Sequence, residues 1–447
     1  MGRYRYLANN MILFSVSNFV SKILVFLLVP FYTNVLSTSD YGTADVMQTT
    51  LLLLVPALTV NMGEAALRFG IDNADKRGLI FRIGMKYTLR ASLVVLLAGT
   101  AAVFFMPPVL VILFILLFFT NSVYEFLILF LQGCELVRIV VIGSVFSTLV
   151  LICSNLVFLL VVKLGLFGYL ISQMLAFSAA SGIMLGLCAK FHGEVLSADR
   201  SGTFSGSDPL SERKGLEKEL LSYGKPMILY STGAFINNAA DRYFVSIMCG
   251  LSVNGLYGVA YKIPSVLTVF QRIFAQAWQM SASKSLTQEE KDGSLKEDFY
   301  SDMYRLYFTF MVLGCAFLIL MVRPLAAFMF RKEFFEAWRF VPPLLISVVF
   351  GAMTGFLGSI CLAFKDSGAM GIATGIGALV NVLLNILLIP SFSAMGAAAA
   401  TAVSYFIMFI GAFYFVSRHV KLYTDHKRNI PAILLLTAEA VIMIRRA

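Results

Sequence analysis

The sequence predicts an all-α protein that crosses a membrane many times, and three observations carry that prediction. Hydrophobic residues make up 59% of the 447 and charged residues only 13%, with a mean hydropathy of +0.83. A water-soluble chain of this length needs a charged surface that this one lacks. Apolar windows of about 20 residues, the length at which a helix crosses the hydrocarbon core, recur from end to end. The ten-residue alternation of a membrane β-barrel is absent from the sequence.

The windows run 7–30, 42–62, 87–107, 109–131, 138–162, 168–189, 226–249, 255–279, 303–323, 341–364, 369–390, 395–417 and 430–444. They amount to roughly thirteen spans, within an expected 12–14. The first has no small-residue cleavage site after a short apolar core, so it reads as a retained anchor. Lys and Arg in the short connections favour the N-terminal side of the membrane by roughly three to one, which predicts a cytoplasmic N-terminus. Much of the +10 net charge is therefore a topology signal and no argument for nucleic acid. The six cysteines, Cys134, Cys153, Cys188, Cys249, Cys315 and Cys361, lie in or beside spans without paired spacing. They predict neither a disulfide framework nor a metal site.

Polar sequence concentrates in 190–225, where SADRSGTFSGSDPLSERKG has the Ser/Gly richness of a linker. After it, LEKELLSYGKP (216–226) places Leu216, Leu220 and Leu221 on one side of a short surface helix, with Pro226 opening the next span. The predicted organisation is an N-terminal six-helix bundle at 1–192, a cytoplasmic linker at 193–225, a C-terminal six-helix bundle at 226–418 and an additional helix at 419–447. The halves resemble each other. NFVSKILVFLLVPFYTNVLSTSDYG (18–42) aligns with NNAADRYFVSIMCGLSVNGLYG (237–258), each with a charge inside a span and then a turn from Leu-Ser to Tyr-Gly. Parallel six-helix repeats are the pattern of two-bundle transporters, which bind substrate near mid-membrane.

Ionisable residues inside spans are functional hypotheses by default. Lys22 lies about eight residues, roughly 12 Å, from the outer end of its span at Pro30, a strained distance for snorkelling; it belongs to a binding site, snorkels, or joins an ion pair. Arg242 falls at the repeat-equivalent place, and Asp241 beside it needs a partner elsewhere, for which Lys22 and Lys262 are the candidates. Lys262 and Arg272 share one span with Pro264 between them as an expected kink, and they form either a cation ladder or, for Arg272, an inward snorkel. Glu64 and Arg68 are spaced to pair along a helix, or to serve a cytoplasmic gate. Glu125 is the deepest lone carboxylate, suited to carrying a proton or to a structural hydrogen bond. Cations outnumber carboxylates in this set. A cavity so lined prefers an anion, and the membrane-borne anions are lipid phosphates and pyrophosphates.

Several stretches, in order, resemble the polysaccharide-exporting flippases of the superfamily that also holds the multidrug and toxic-compound extruders. They are SKILVFLLVPFYTNVLSTSDYG (21–42), GEAALRF (63–69), SYGKPMI (222–228), NNAADRYF (237–244), GLYGVAYKIP (255–264), IFAQAWQMSA (273–282), FEAWRFVPPLL (335–345) and NILLIPSFSAMGAAAATAVSY (385–405). The resemblance implies two six-helix bundles around a central cavity, commonly with two further helices. It implies alternating access and the flipping of undecaprenyl-pyrophosphate-linked oligosaccharide units across the cytoplasmic membrane for surface polysaccharide biosynthesis. The family's cationic cavity positions fall on Lys22, Arg242, Lys262 and Arg272, with Arg68 at the cytoplasmic entry. Coupling to H+ or Na+ falls to Glu125, Asp241 or Glu64, with no other cofactor. Expected partners are the lipid-linked oligosaccharide, membrane lipids and polysaccharide polymerase or export machinery. One extra segment, IPAILLLTAEAVIMIRRA, follows the bundles, leaving either an odd helix count or further sequence.

The alternatives are a flippase for the lipid-linked peptidoglycan precursor and an ion-coupled drug exporter, although an exporter of organic cations wants acidic cavity walls. A membrane glycan polymerase or ligase needs acid/base groups on a sizeable outer loop. The longest, 323–341, holds no His, and His192, His419 and His426 all fall on the predicted cytoplasmic side. No nucleotide-binding or hydrolase motif is present in the sequence.

Overall fold

The computed structural model describes residues 26–196, 209–275, 278, 297–364, 366–422 and 426–445. Among them the regular structure is helical, with no strand. The first half contains α1 (Val29–Val35), α2 (Thr38–Leu58), α3 (Met62–Asp72), α4 (Arg77–Ala102), α5 (Pro108–Gly133), α6 (Val137–Asn155) and α7 (Leu166–Phe191). The second contains α8 (Pro209–Cys249), α9 (Leu251–Ala260), α10 (262–275), α11 (Glu297–Leu320), α12 (Val322–Met329), α13 (Val341–Ala363), α14 (Ser367–Phe392), α15 (Ala394–Val416) and α16 (His426–Arg445). Among the described residues seven helices are long and apolar enough to span a membrane alone, and α2 with α3, bent by 54°, make an eighth. The protein is an all-α, multi-span membrane protein.

That bend replaces the straight span expected at 42–62. Val60 and Asn61 adopt positive φ, 56° and 50°, a region that a β-branched residue enters only under strain. Gly224 of α8 packs so closely there that a Cβ would collide with the Val60 carbonyl, and Ser231 Oγ donates to Asn61 Oδ1 at 3.3 Å. The expected kink at Pro264 also moves. The chain breaks at Tyr261, and Pro264 sits in the first turn of α10, where its missing N–H costs nothing.

The described chain forms two compact units, one on Met47–Phe235 and one in which Val29–Val46 packs with Ile236–Ala447. Both α2 and α8 run through a unit boundary. The first unit is cored by Ile80, Ile83, Phe126, Phe130 and Met184, with Leu216 and Leu220 of α8 buried in the same cluster. The helix expected at 216–226, with Leu216, Leu220 and Leu221 on one side, is present; it begins at Pro209, and α8 continues through Pro226 without a break. Glu217 accepts hydrogen bonds from Lys86 Nζ at 2.7 Å and Tyr87 Oη at 2.9 Å. The Lys86 bond holds the Glu217 carboxyl below the usual carboxylate range.

In the second unit an aromatic stack joins α10, α11 and α13. Phe274 lies 3.8 Å from Tyr307 and Trp278 lies 4.4 Å from Phe356, centroid to centroid. Trp278 Nε1 donates to the Phe356 carbonyl at 3.1 Å, so the indole is buried without losing its polar partner. The stretch 323–341, expected outside, is a structured strap of α12 and a 3-10 helix at Lys332–Phe340, with Phe334 and Trp338 buried. Thr33 Oγ1 donates to the Met329 carbonyl at 2.9 Å and Lys332 Nζ to the Asn34 carbonyl at 2.9 Å, which tie α1 under the strap.

Candidate functional site

The site lies within the second unit, where α2 and α9 cross at close range. A Cβ on Gly42 would meet the Leu251 carbonyl and the Gly255 amide; one on Gly255 would meet the Thr38 carbonyl and the Gly42 amide. Glycine at both positions lets two backbones touch, and the contact is reciprocal between repeat-related segments. One turn deeper, Gly258 faces Asp45, and a Cβ there would strike the carboxylate. Gly250, at φ 90°, provides the turn that starts α9 in this register.

Asp45 is buried, and Arg242 of α8 reaches it, Nη1 to Oδ1, at 2.9 Å. Asn254 Nδ2 donates to the Gly42 carbonyl at 3.2 Å and to Asp45 Oδ2 at 3.4 Å. The Arg242 guanidinium lies 4.9 Å over the Tyr261 ring, a cation–π contact. Lys262, half-buried at the start of α10, adds a second positive charge to the field at Asp45.

Asp241, the neighbour of Arg242, points into a different set of partners. Its Oδ2 accepts from Tyr261 Oη at 2.6 Å, Tyr257 Oη at 2.7 Å and Thr401 Oγ1 at 3.3 Å, while Oδ1 accepts the Arg242 backbone N–H at 2.9 Å. The chain continues through Asn381 Nδ2 to Thr401 at 3.5 Å and Asn385 Nδ2 to Asn381 Oδ1 at 2.9 Å. Among the described residues Asn385 Oδ1 is buried and meets no donor. Among the described residues two tyrosines and a threonine hold Asp241, and its expected partner Lys22 lies outside them. Hydroxyls can satisfy a buried carboxylate without placing another full charge in low dielectric.

The other expected positions scatter. Lys22 lies outside the described residues. Arg272 is exposed on α10 and does not join the Asp45 cluster. Arg68 pairs with Asp72 at 2.7 Å and not with Glu64, both partners being more than half exposed, and Glu64 itself is half-buried. Glu125 lies on α5 in the first unit, with its side chain exposed on a helix long and apolar enough to cross the membrane and no hydrogen bond or ion pair among the described residues. Asp45 was absent from the expected set, and so were Tyr257, Tyr261 and Thr401. Among the described residues no cluster of His, Cys, Asp or Glu has the makings of a metal centre.

The profile of the polysaccharide biosynthesis protein family matches residues 7–279. The chain belongs to that family. A relative is the probable low-salt glycan biosynthesis flippase Agl15 of Haloferax volcanii, 25% identical over 194 residues, which are 42% of this chain and 39% of that protein. The match thus spans about two fifths of the relative's length. The fold resembles the lipid II flippase MurJ in an inward closed conformation, with a TM-score of 0.68 at 14% identity over 97% of this chain and 91% of that one. It also resembles an inward-facing multidrug resistance MATE family transporter of the MOP superfamily, with a TM-score of 0.69 at 13% identity over 89% and 95% of the two chains. A MOP superfamily transporter from Pyrococcus furiosus, described as having a binding pocket of reversed polarity, matches with a TM-score of 0.55 at 14% identity over 91% and 95%. This polysaccharide biosynthesis family member therefore has a transporter fold.

Proposed function

We propose that this polysaccharide biosynthesis family member is a flippase. It moves undecaprenyl-pyrophosphate-linked oligosaccharide units from the cytoplasmic to the outer leaflet of the cytoplasmic membrane by alternating access, with its N-terminus inside. The observation that carries the reading is the buried Asp45–Arg242 pair with Lys262 beside it. A buried ion pair is a weak source of stability compared with apolar packing, so its presence inside a membrane protein favours a functional reason. A pyrophosphate can replace the Asp45 carboxylate on Arg242 and Lys262, so that no buried cation is left uncompensated during the exchange. Lys22 and Arg272 extend the anion path in this proposal, and Arg68 marks its entry. The family and the flippase relative supply the lipid-linked glycan; polymerase or export machinery takes the product.

Coupling falls to Asp241. A proton fits its carboxylate, and Na+ fits the oxygens of Asp241, Thr401 and the Asn385 amide, a hard donor set suited to a hard cation. Either would offset the charge of Asp241 while the empty carrier resets, with Glu125 and Glu64 as secondary sites. A flippase for the lipid-linked peptidoglycan precursor is the second reading, favoured by the fold match to a lipid II flippase.

The test is a leaflet-movement assay in proteoliposomes, comparing undecaprenyl-pyrophosphate-linked oligosaccharide with the peptidoglycan precursor. The parent protein is expected to move the oligosaccharide, and Arg242→Ala and Lys262→Ala to insert normally and lose the activity. Movement by both variants at the parent rate would sink the anion-exchange reading; movement of the precursor alone would select the second one.

A further inference from the structure

We infer that the second unit carries a groove for an anionic glycerophospholipid, separate from the Asp45–Arg242 cluster. A cavity of about 310 Å³ opens between α11, α15 and α16. Tyr304, Phe308 and Phe409 form its floor and are buried, whereas Ile410, Ile430 and Leu434 on its walls are at least half exposed. An apolar floor with exposed apolar walls opens sideways, toward lipid and not toward water.

One end of the groove is polar and basic. Asn429, in the first turn of α16, lines it. Beside it Arg428 reaches across to α11, where Nη2 donates to Thr309 Oγ1 at 3.1 Å. Arg305 lies one turn earlier on α11, nearly half exposed, with only a 3.8 Å contact to Asp302. Arg418 lies in the turn just past the end of α15. Arg418 lies over the Tyr414 ring at 4.7 Å and donates to its hydroxyl at 2.9 Å. Two of the helices that enclose the groove, α11 and α16, thus present arginines near its Asn429 end.

The combination selects the occupant. A soluble phosphate has no use for the groove, and a helix of a second copy has no use for the guanidiniums; the polyprenyl pyrophosphate is assigned above to the Asp45–Arg242 cluster. An anionic phospholipid uses both, its phosphate on the arginines and an acyl chain over the aromatic floor. Basic pockets between membrane helices bind such headgroups on the cytoplasmic side. The proposed inside N-terminus puts this rim at that leaflet; the groove and its charge do not depend on it.

The experiment uses the full chain in nanodiscs of equal phosphatidylglycerol and phosphatidylcholine, and native mass spectrometry to read the lipid that stays bound on release. The parent is expected to keep phosphatidylglycerol in preference. Arg305→Gln and Arg428→Gln each lower that preference about fivefold. Ile433→Trp, which fills the groove without touching a charge, lowers retention of both lipids. Equal retention of the two lipids by the parent, or an unchanged preference in both arginine variants, would overturn the inference in favour of ordinary annular lipid. A dimer abolished by Ile433→Trp would assign the groove to a second copy instead.

Discussion

The two units bury polar residues of different kinds. Among the described side chains of Met47–Phe235 the buried polar ones are neutral, including Thr88, Asn121, Ser122, Asn155 and Ser172. Within the unit of Val29–Val46 and Ile236–Ala447 two carboxylates, Asp45 and Asp241, are buried, and Arg242 is bonded to the first. Several of the hydroxyls bond a nearby backbone carbonyl, as Thr88 does that of Gly84 at 3.0 Å and Ser172 that of Gly168 at 2.8 Å, while Ser122 Oγ meets no partner among the described residues. Ionised groups need partners from other helices. The difference separates a unit whose polar interior serves helix packing from one whose interior can change its charge state.

The largest effect expected from this difference is at the ion pair. Arg242→Ala leaves Asp45 buried with its charge uncompensated, which costs about 3–5 kcal/mol. Asp45→Ala with Arg242→Ala removes both charges and is expected to cost clearly less than the two single changes together. Thermal unfolding of all three variants in detergent gives the cycle. Additive costs would show that the two residues do not act as a pair.

Next comes Asp241→Ala, which strands the Tyr257, Tyr261 and Thr401 hydroxyls in an apolar interior at about 1–3 kcal/mol. Asp241→Asn keeps an acceptor oxygen in place but cannot take a proton. It is expected to fold nearly as well as the parent while transport loses its dependence on the ion gradient. A gradient dependence unchanged in Asp241→Asn would remove the coupling role from this unit.

A smaller effect belongs to the first unit, at Glu217, whose bond from Lys86 lies at a partly exposed surface. Glu217→Gln is expected to cost about 1 kcal/mol or less. The sign with pH follows from the depressed carboxyl. A group whose folded-state pKa is lowered stabilises above its unfolded value and loses that contribution as pH falls through the folded one. The parent's advantage over Glu217→Gln is therefore constant near neutral pH and disappears in acid. An advantage that grew on acidification would contradict the hydrogen-bonded geometry.

Much of this was legible in the sequence, for a physical reason: lipid demands long apolar helices, so composition alone locates α5, α6, α7, α13, α14 and α15. Asp241 and Arg242 stood out because charge is rare inside such helices. Their partners did not, because the Asp45–Arg242 bond joins residues 197 apart and no local periodicity records it. Asp45 could have been noticed from Gly42 three residues earlier and from Gly255 and Gly258 at the same spacing, a pattern that brings two helix backbones together. Arg68 shows the opposite limit. Glu64, Arg68 and Asp72 succeed one another every four residues, so spacing allows either pair, and tertiary packing chose the second.

The smallest expected effect is at Glu125, and it is the sharpest control on the comparison. Sequence gives the depth of a lone carboxylate along an apolar span but not which way its helix face turns. In the structure the side chain is exposed on α5. The carboxylate makes no hydrogen bond or ion pair among the described residues, so Glu125→Gln breaks no contact and is expected to shift stability by no more than about 0.5 kcal/mol. Thermal unfolding beside Asp241→Ala measures the contrast directly. A cost at Glu125 matching that at Asp241 would mean that the first unit also holds a buried charge, and the division of labour between the units would fail.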